Sequence, residues 1–444
     1  MSNSSGRILL QNASVLTMDG ELRQYSPGYV ATEGALITAL GPMFECPPVS
    51  GYDEVLDCSG CVVMPGLVNA HTHLPMVYFR GLADDLPLLT WLNEHIWPAE
   101  GKHLSPEFCY HASRLACLES IRSGVTCVND MYLFAASVAS AVADSGMRGL
   151  ISEGVIQFPT PSAASWQDGM ELEKQLIAEY TGHPLIEPAV ACHAPYTCTP
   201  EILTTLHGLS REHGLLFHIH LQETNAEPGL TEWLQPGESP TAGLARLGVL
   251  GPRTLGAHCV WVEQPDMELM ASHGCGACHC PASNLKLASG VAPTVAMLQA
   301  GVNVGLGTDG AASNNNLDLW EELHLAALLP KGILLDAEAM PAHRAVQLAT
   351  SGGAAALGDR RFGTLAAGKL ADICVIDLAT PHTTPRYTHD SAVYSYLAYS
   401  SQAADVRHTI ANGRLLMRDR EVLSLNEAAV LREATDWLAG TAGG

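Results

Sequence analysis

The pattern of apolar and polar positions divides the chain into three stretches. Over residues 1–64, short runs of strand character (Arg7 to Val15, Gly28 to Glu33, Ala35 to Leu40, Glu54 to Cys58) are separated by polar and Gly/Pro breaks, and they predict a small β-structure. Residues 65–361 alternate differently. Apolar runs at Gly66–His73, Gly124–Met131, Gly149–Val155, Ile186–His193, Leu215–Leu221, Thr254–Val260, Gly274–Cys280 and Asn303–Thr308 alternate with amphipathic stretches such as Pro106–Arg122, Trp166–Tyr180 and Pro200–His213. Eight strands with intervening helices over some 300 residues predict a (β/α)8 TIM barrel. An open doubly wound sheet would need a Gly-rich phosphate turn after an early strand, and none is present. Residues 362–444 return to strands: a turn at Gly363–Lys369, a strong strand at Ala371–Leu378, and a hairpin signal where Asn412-Gly413 separates Val406–Ala411 from Arg414–Met417. A helical stretch over 424–440 closes the chain. The expected class is therefore α/β, a barrel over 65–361 with a small β-sandwich domain built from both termini, 1–64 and 362–444.

Composition narrows the partners. Of 444 residues, 47% are hydrophobic and 16% charged, an ordinary well-buried globular balance. The formal net charge of −23 argues against a nucleic-acid or anionic-membrane surface, because phosphate-neutralising lysines and arginines are scarce. The N-terminus lacks a basic region followed by an apolar one, and no apolar run is long enough to span a membrane. Thirteen cysteines, an odd number mostly inside apolar runs, read as reduced thiols of a cytoplasmic protein. Cys275-Gly-Ala-Cys278-His279 matches a haem-attachment string, but that chemistry needs export, and the stretch reads better as a buried strand.

Chemistry gathers at the ends of the predicted barrel strands, where barrel active sites lie. Strand one ends in His71-Thr-His73, whose i, i+2 spacing turns both imidazoles to one side. Strand four ends in His193, strand five in His218-Ile-His220-Leu-Gln-Glu223, strand six in His258 and strand eight in Thr308-Asp309-Gly310. His71, His73, His220 and Asp309 on one metal would leave a position for water, the catalytic rather than the structural arrangement. A metal there would bring the water's pKa to about 7. Asp309 is then the candidate to take the water's proton, Glu223 to protonate a substrate ring nitrogen, and His258 to hold the water or polarise the reacting centre. A second metal would call for a bridging group, often a modified lysine near strand four; Gly182–Pro200 contains no lysine, which favours one metal.

With these residues in order, the chain resembles the amidohydrolase superfamily, and within it the 5′-methylthioadenosine/S-adenosylhomocysteine deaminase family. The likeness rests on Pro65-Gly-Leu-Val-Asn-Ala-His71-Thr-His73, Arg80-Gly-Leu-Ala-Asp-Asp85 through Trp91 to Glu100, Cys280-Pro-Ala-Ser-Asn-Leu-Lys286 and Gly307-Thr-Asp-Gly-Ala-Ala-Ser-Asn-Asn-Asn316. The resemblance implies hydrolytic deamination at C6 of an adenine nucleoside, releasing ammonia and the inosine analogue. It also implies one divalent ion per subunit, zinc with ferrous iron as the alternative, and a small nucleoside as the binding partner; a homo-oligomer is left open. It implies too that Glu100 holds the ribose hydroxyls, that His193 and Glu223 contact the purine, and that Trp91 packs on the nucleoside. Relatives that hold a homocysteine tail offer an arginine where this chain has Glu153, and Gly149–Met170 contains no lysine or arginine. Either Arg148 or Arg80 reaches such a tail, or methylthioadenosine and adenosine are preferred. Guanine or 8-oxoguanine deamination and triazine hydrolysis on the same scaffold are the competing activities, and a non-catalytic scaffold is the distant one.

Overall fold

The computed structural model describes residues 6–387, 389 and 391–442. Among them the N-terminal stretch forms β1 (Arg7–Leu16), β2 (Gln24–Glu33), β3 (Leu36–Pro42), β4 (Glu54–Asp57) and β5 (Cys61–Pro65). The barrel follows as β6 (Leu67–Thr72), β7 (Val125–Tyr132), β8 (Arg148–Val155), β9 (Ile186–Pro188), β10 (Val190–Cys192), β11 (Phe217–Leu221), β12 (Thr254–His258), β13 (Gly276–His279) and β14 (Asn303–Leu306). The chain then returns through β15 (Ile373–Asp377), β16 (Val406–Ala411), β17 (Arg414–Arg418) and β18 (Glu421–Val422) to the helix Glu427–Ala442.

The terminal strands pair into one mixed sheet in the order β18-β17-β16-β15-β5-β1-β2-β3, with β4 beside β1. The antiparallel pairing of β15 with β5, Val375 opposite Val63, joins the two ends of the chain. Alternate residues of these strands (Ile8, Leu10, Val63, Ile373 and Val375 among them) bury a core separate from that of the barrel.

The barrel strands run parallel in the order β14-β13-β12-β11-β10-β8-β7-β6. The fourth predicted strand is split at Ala189, beside Pro188, which has no N–H to give to a ladder. Closure between the first and eighth strands falls at the isolated bridge Thr72↔Asp309, where the Asp309 N–H donates to the His71 carbonyl (3.1 Å). A glycine is required just before it: a Cβ on Gly307 would lie 2.7 Å from the His71 carbonyl oxygen and 2.6 Å from Cys278 Sγ. Several outer helices begin on a hydroxyl–proline pair. Ser105, Thr199 and Ser239 each accept the N–H of the third helical residue, and Pro106, Pro200 and Pro240 occupy the first position, where no N–H is needed. All thirteen cysteines are free thiols, twelve of them buried. Among the described residues no helix is long and apolar enough to cross a membrane.

Candidate active site

Five groups from four strand ends meet above the barrel. His71, His220, His258 and Asp309 each offer a ligand atom, all within 4.8 Å of one another. His73 joins them, its Nε2 lying 3.1 Å from Asp309 Oδ1 and 3.3 Å from His220 Nε2. His258, read from sequence as a partner in catalysis, falls inside this mutually close group, and the expected ligand His73 falls outside it. Three strand ends adopt the left-handed backbone that non-glycine residues avoid: Gln222 (φ 48°), His258 (φ 70°) and Asp309 (φ 58°). Each such residue costs about 1–3 kcal/mol and persists only where its surroundings enforce it, a cost that clusters at functional sites.

The tautomers make the cluster's chemistry specific. His73 Nδ1 donates to the Met131 carbonyl and His220 Nδ1 to the His193 carbonyl (2.6 Å), because a carbonyl can only accept. In their neutral forms the two Nε2 lone pairs therefore face each other across 3.3 Å, beside the Asp309 carboxylate. That juxtaposition is repulsive unless a metal ion, or a proton on His73, lies among them. His71 Nε2 is buried without a hydrogen-bond partner, 3.3 Å from Asp309 Oδ1, while its Nδ1 is tied to His218 Nε2 (2.9 Å). His218, 3.2 Å from Asn129 Nδ2, stands behind the cluster, not in it. Imidazole and carboxylate are the donor types that suit a divalent transition metal, and the residues present fit one.

Charge in the cluster is unevenly held. Burial lowers His73's proton affinity, but the hydrogen bond and negative charge of Asp309 outweigh it and lift its pKa to about 9. His71 is pulled to about 3, mainly by burial against the pull of Asp309. His193 falls to about 3 through burial and the nearby histidines, and its Nδ1 lies 2.9 Å from Thr197 Oγ1. Burial would raise Asp309, yet the close approach of the His71 and His73 imidazoles and the other nearby histidines hold it well below the usual carboxylate range. Its second oxygen, Oδ2, is reached by the hydroxyls of Ser283 (2.6 Å) and Ser313 (2.8 Å). Glu223 is the opposite case: burial raises its pKa, with His258 only partly offsetting. The two carboxyls thus differ in proton affinity within one site, which is how an enzyme separates a base from an acid.

All of this opens into one cavity of about 420 Å³, within the range of about 300–1,000 Å³ usual for small-molecule sites. His73, His193, His220, Glu223, His258 and Asp309 all line it. Trp91 and Glu100 line it too, both buried, with the Trp91 Nε1 unpartnered. They come from the segment after β6, where a π-helical turn over Trp91–Ile96 leads into the short helix Trp97–His103. Burial raises Glu100 to about 7, and the Tyr132 hydroxyl, donating to its Oε1 at 2.6 Å, pulls the other way.

Sequence reasoning missed four supporting residues. Tyr132 lies at the end of an apolar strand with nothing local to pair it with Glu100. Asn284, whose Oδ1 accepts from His258 Nδ1 (2.9 Å), and Ser283 and Ser313 belong to motifs that were singled out, so the signal was present without the roles.

Residues 62–416 match the amidohydrolase family. A 5-methylthioadenosine/S-adenosylhomocysteine deaminase of Syntrophobacter fumaroxidans is 44% identical over 99% of both chains. A 5′-deoxyadenosine deaminase of Methanosarcina mazei is 43% identical over 96% of both. Among solved structures, an adenosine deaminase from Xanthomonas campestris with bound zinc superposes with a TM-score of 0.92 at 34% identity, covering 98% of this chain and 99% of its own. With a closed parallel barrel, a His/Asp cluster at its strand ends and full-length likeness to these enzymes, the chain belongs to the amidohydrolase family.

Proposed function

We propose that the chain hydrolyses the 6-amino group of adenine nucleosides, with His71, His73, His220 and Asp309 holding one zinc ion. Such an ion supplies an activated water at neutral pH. A single cavity that holds a paired base and acid together with a buried carboxylate and an indole carries this reading. Ser283 and Ser313 orient Asp309 through Oδ2, so that Oδ1 faces the histidines and the attacking water. Asp309 takes the first water proton and delivers it to the departing amine. Glu223, whose proton affinity burial raises, gives its proton to N1 of the purine and recovers one from the new C6 hydroxyl as the carbonyl forms. His258, its Nδ1 directed at Asn284 Oδ1, turns Nε2 to the water and orients it. Glu100 accepts from the vicinal ribose hydroxyls, His193 contacts the purine, and Trp91 gives the nucleoside a flat apolar wall.

Ammonia release screened over adenine nucleosides, guanine and chlorotriazines tests the reading, and turnover confined to guanine or triazines would overturn it. On the preferred substrate, Glu223→Gln should retain metal and lose about 10²–10⁴-fold in kcat, the span of general acid catalysis. His220→Ala should lose the metal as well.

A further inference from the structure

The cavity's charge is one-sided. Beyond the reacting end its wall is apolar and aromatic, with Leu92, Trp97, Leu133, Ile156 and Phe158 prominent, and Trp97 and Phe158 meet edge to face with ring centroids 5.4 Å apart. Among the described residues no lysine or arginine lines it, and the ionisable group on that wall, Glu100, is an acid.

Three cations on neighbouring elements are engaged elsewhere. Arg148 stands at the start of β8, the far end of the barrel, buried on Asp372 (2.8 Å) and Asn412 Oδ1 (3.1 Å). Arg80 is paired with Glu119 and donates to the Asn315 carbonyl (2.8 Å). Lys286 is bound to Asp84 and Asn315 and faces a second recess that shares Leu88 and Leu287 with the cavity. Glu153 does not reach the cavity; its carboxylate accepts from the Ala135 N–H (2.9 Å), the Phe134 N–H (3.3 Å) and the Ser162 hydroxyl (2.5 Å).

We infer that the enzyme selects adenine nucleosides with a small uncharged 5′ substituent and discriminates against the zwitterionic tail of S-adenosylhomocysteine. The inference rests on the deaminase reading above. A methylthio group or a bare 5′ methyl replaces water against Trp97 and Phe158 at no electrostatic cost. A tail carboxylate would instead lose its hydration with no guanidinium or ammonium to receive it, and it would approach the acidic Glu100.

Steady-state kinetics on one metal-loaded preparation, with 5′-methylthioadenosine, 5′-deoxyadenosine, 5′-butylthioadenosine and S-adenosylhomocysteine, test this. The kcat/KM for S-adenosylhomocysteine should lie about 100-fold below that for methylthioadenosine, the effect of leaving a buried charge unpaired. The butylthio compound, of similar reach without charge, should stay within about tenfold of methylthioadenosine. Phe158→Arg, at a position 37% exposed and so tolerant of a charge, should raise the S-adenosylhomocysteine to methylthioadenosine ratio at least tenfold. Three results would each overturn the inference: near-equal use of S-adenosylhomocysteine by the native protein, a butylthio compound as poor as S-adenosylhomocysteine, or a ratio unmoved by Phe158→Arg. Failure to deaminate any adenine nucleoside would instead overturn the deaminase reading itself.

Discussion

Removing one hydroxyl should move the pH dependence of substrate binding. Glu100 lies near neutrality because burial raises its carboxyl to about 7 while the Tyr132 hydroxyl, 2.6 Å from Oε1, stabilises the anion. A hydrogen bond to a charged group is worth about 1.5–3 kcal/mol. Losing it in Tyr132→Phe, which keeps the buried ring, should therefore raise the Glu100 pKa by about 1–2 units at 1.36 kcal/mol per unit. The sign follows from the acid: the ribose-accepting anion exists above the pKa, so kcat/KM should rise with pH through about 7 in the native protein and through about 8–9 in the variant. At pH 7.5 the ionised fraction drops from about three quarters to between about a quarter and a few per cent, a loss of about 3- to 25-fold that is largely recovered by pH 9.5. Initial rates with methylthioadenosine between pH 5.5 and 9.5 measure it, and Glu100→Gln should have no such arm. A Tyr132→Phe profile that superimposes on the native one, or that falls equally at every pH, would refute the link between hydroxyl, carboxylate and ribose.

Glu227 is fully buried, and its Oε2 accepts the backbone N–H of Glu223 at 3.1 Å, so it positions the acid. Glu227→Leu should lower kcat about tenfold with KM little changed, while Glu227→Gln, which keeps an acceptor oxygen, should restore it; equal kinetics in the two variants would remove the positioning role. Because burial raises Glu227 to about 8, its contribution to folding stability is fully present below the unfolded carboxyl pKa of about 4 and lost as pH rises through about 8. The fall in Tm between pH 7 and 9 should therefore be shallower in Glu227→Gln. Chelation should lower Tm by at least a few degrees, reversed by added zinc, since a metal held by this His/Asp cluster binds the folded chain and not the unfolded one. A Tm unmoved by chelator would count against metal at this cluster.

The barrel was legible because each of its strands is an apolar run stopped by turn residues, and a run fully buried on both faces leaves a continuous signal. The fold resolved seven of the eight as single strands and broke the one containing Pro188. The histidines were legible for a related reason: strand ends are recognisable from local sequence, and the barrel brings all of its ends to one face. What joins residues across the barrel was not legible. Glu100 and Tyr132 are 32 positions apart, and Ser283 and Asp309 are 26 apart on neighbouring strand ends. Their pairing depends on strand register and loop path, and neither leaves a periodic trace.

The site's two ends also differ in what fixes them. At the reacting end, the closing bridge Thr72↔Asp309, the glycine at 307 and the left-handed turns at Gln222, His258 and Asp309 hold each side chain through the backbone itself. Little there can vary without opening the barrel. The opposite wall comes from the π-turn segment Trp91–Ile96 and the loop holding Phe158, which follow strand ends without entering the ladder. Phe158, 37% exposed, can change size and charge there at small structural cost. Substrate choice within a shared hydrolytic chemistry should therefore be set by that wall, which carries aromatic rings and, among the described residues, no lysine or arginine.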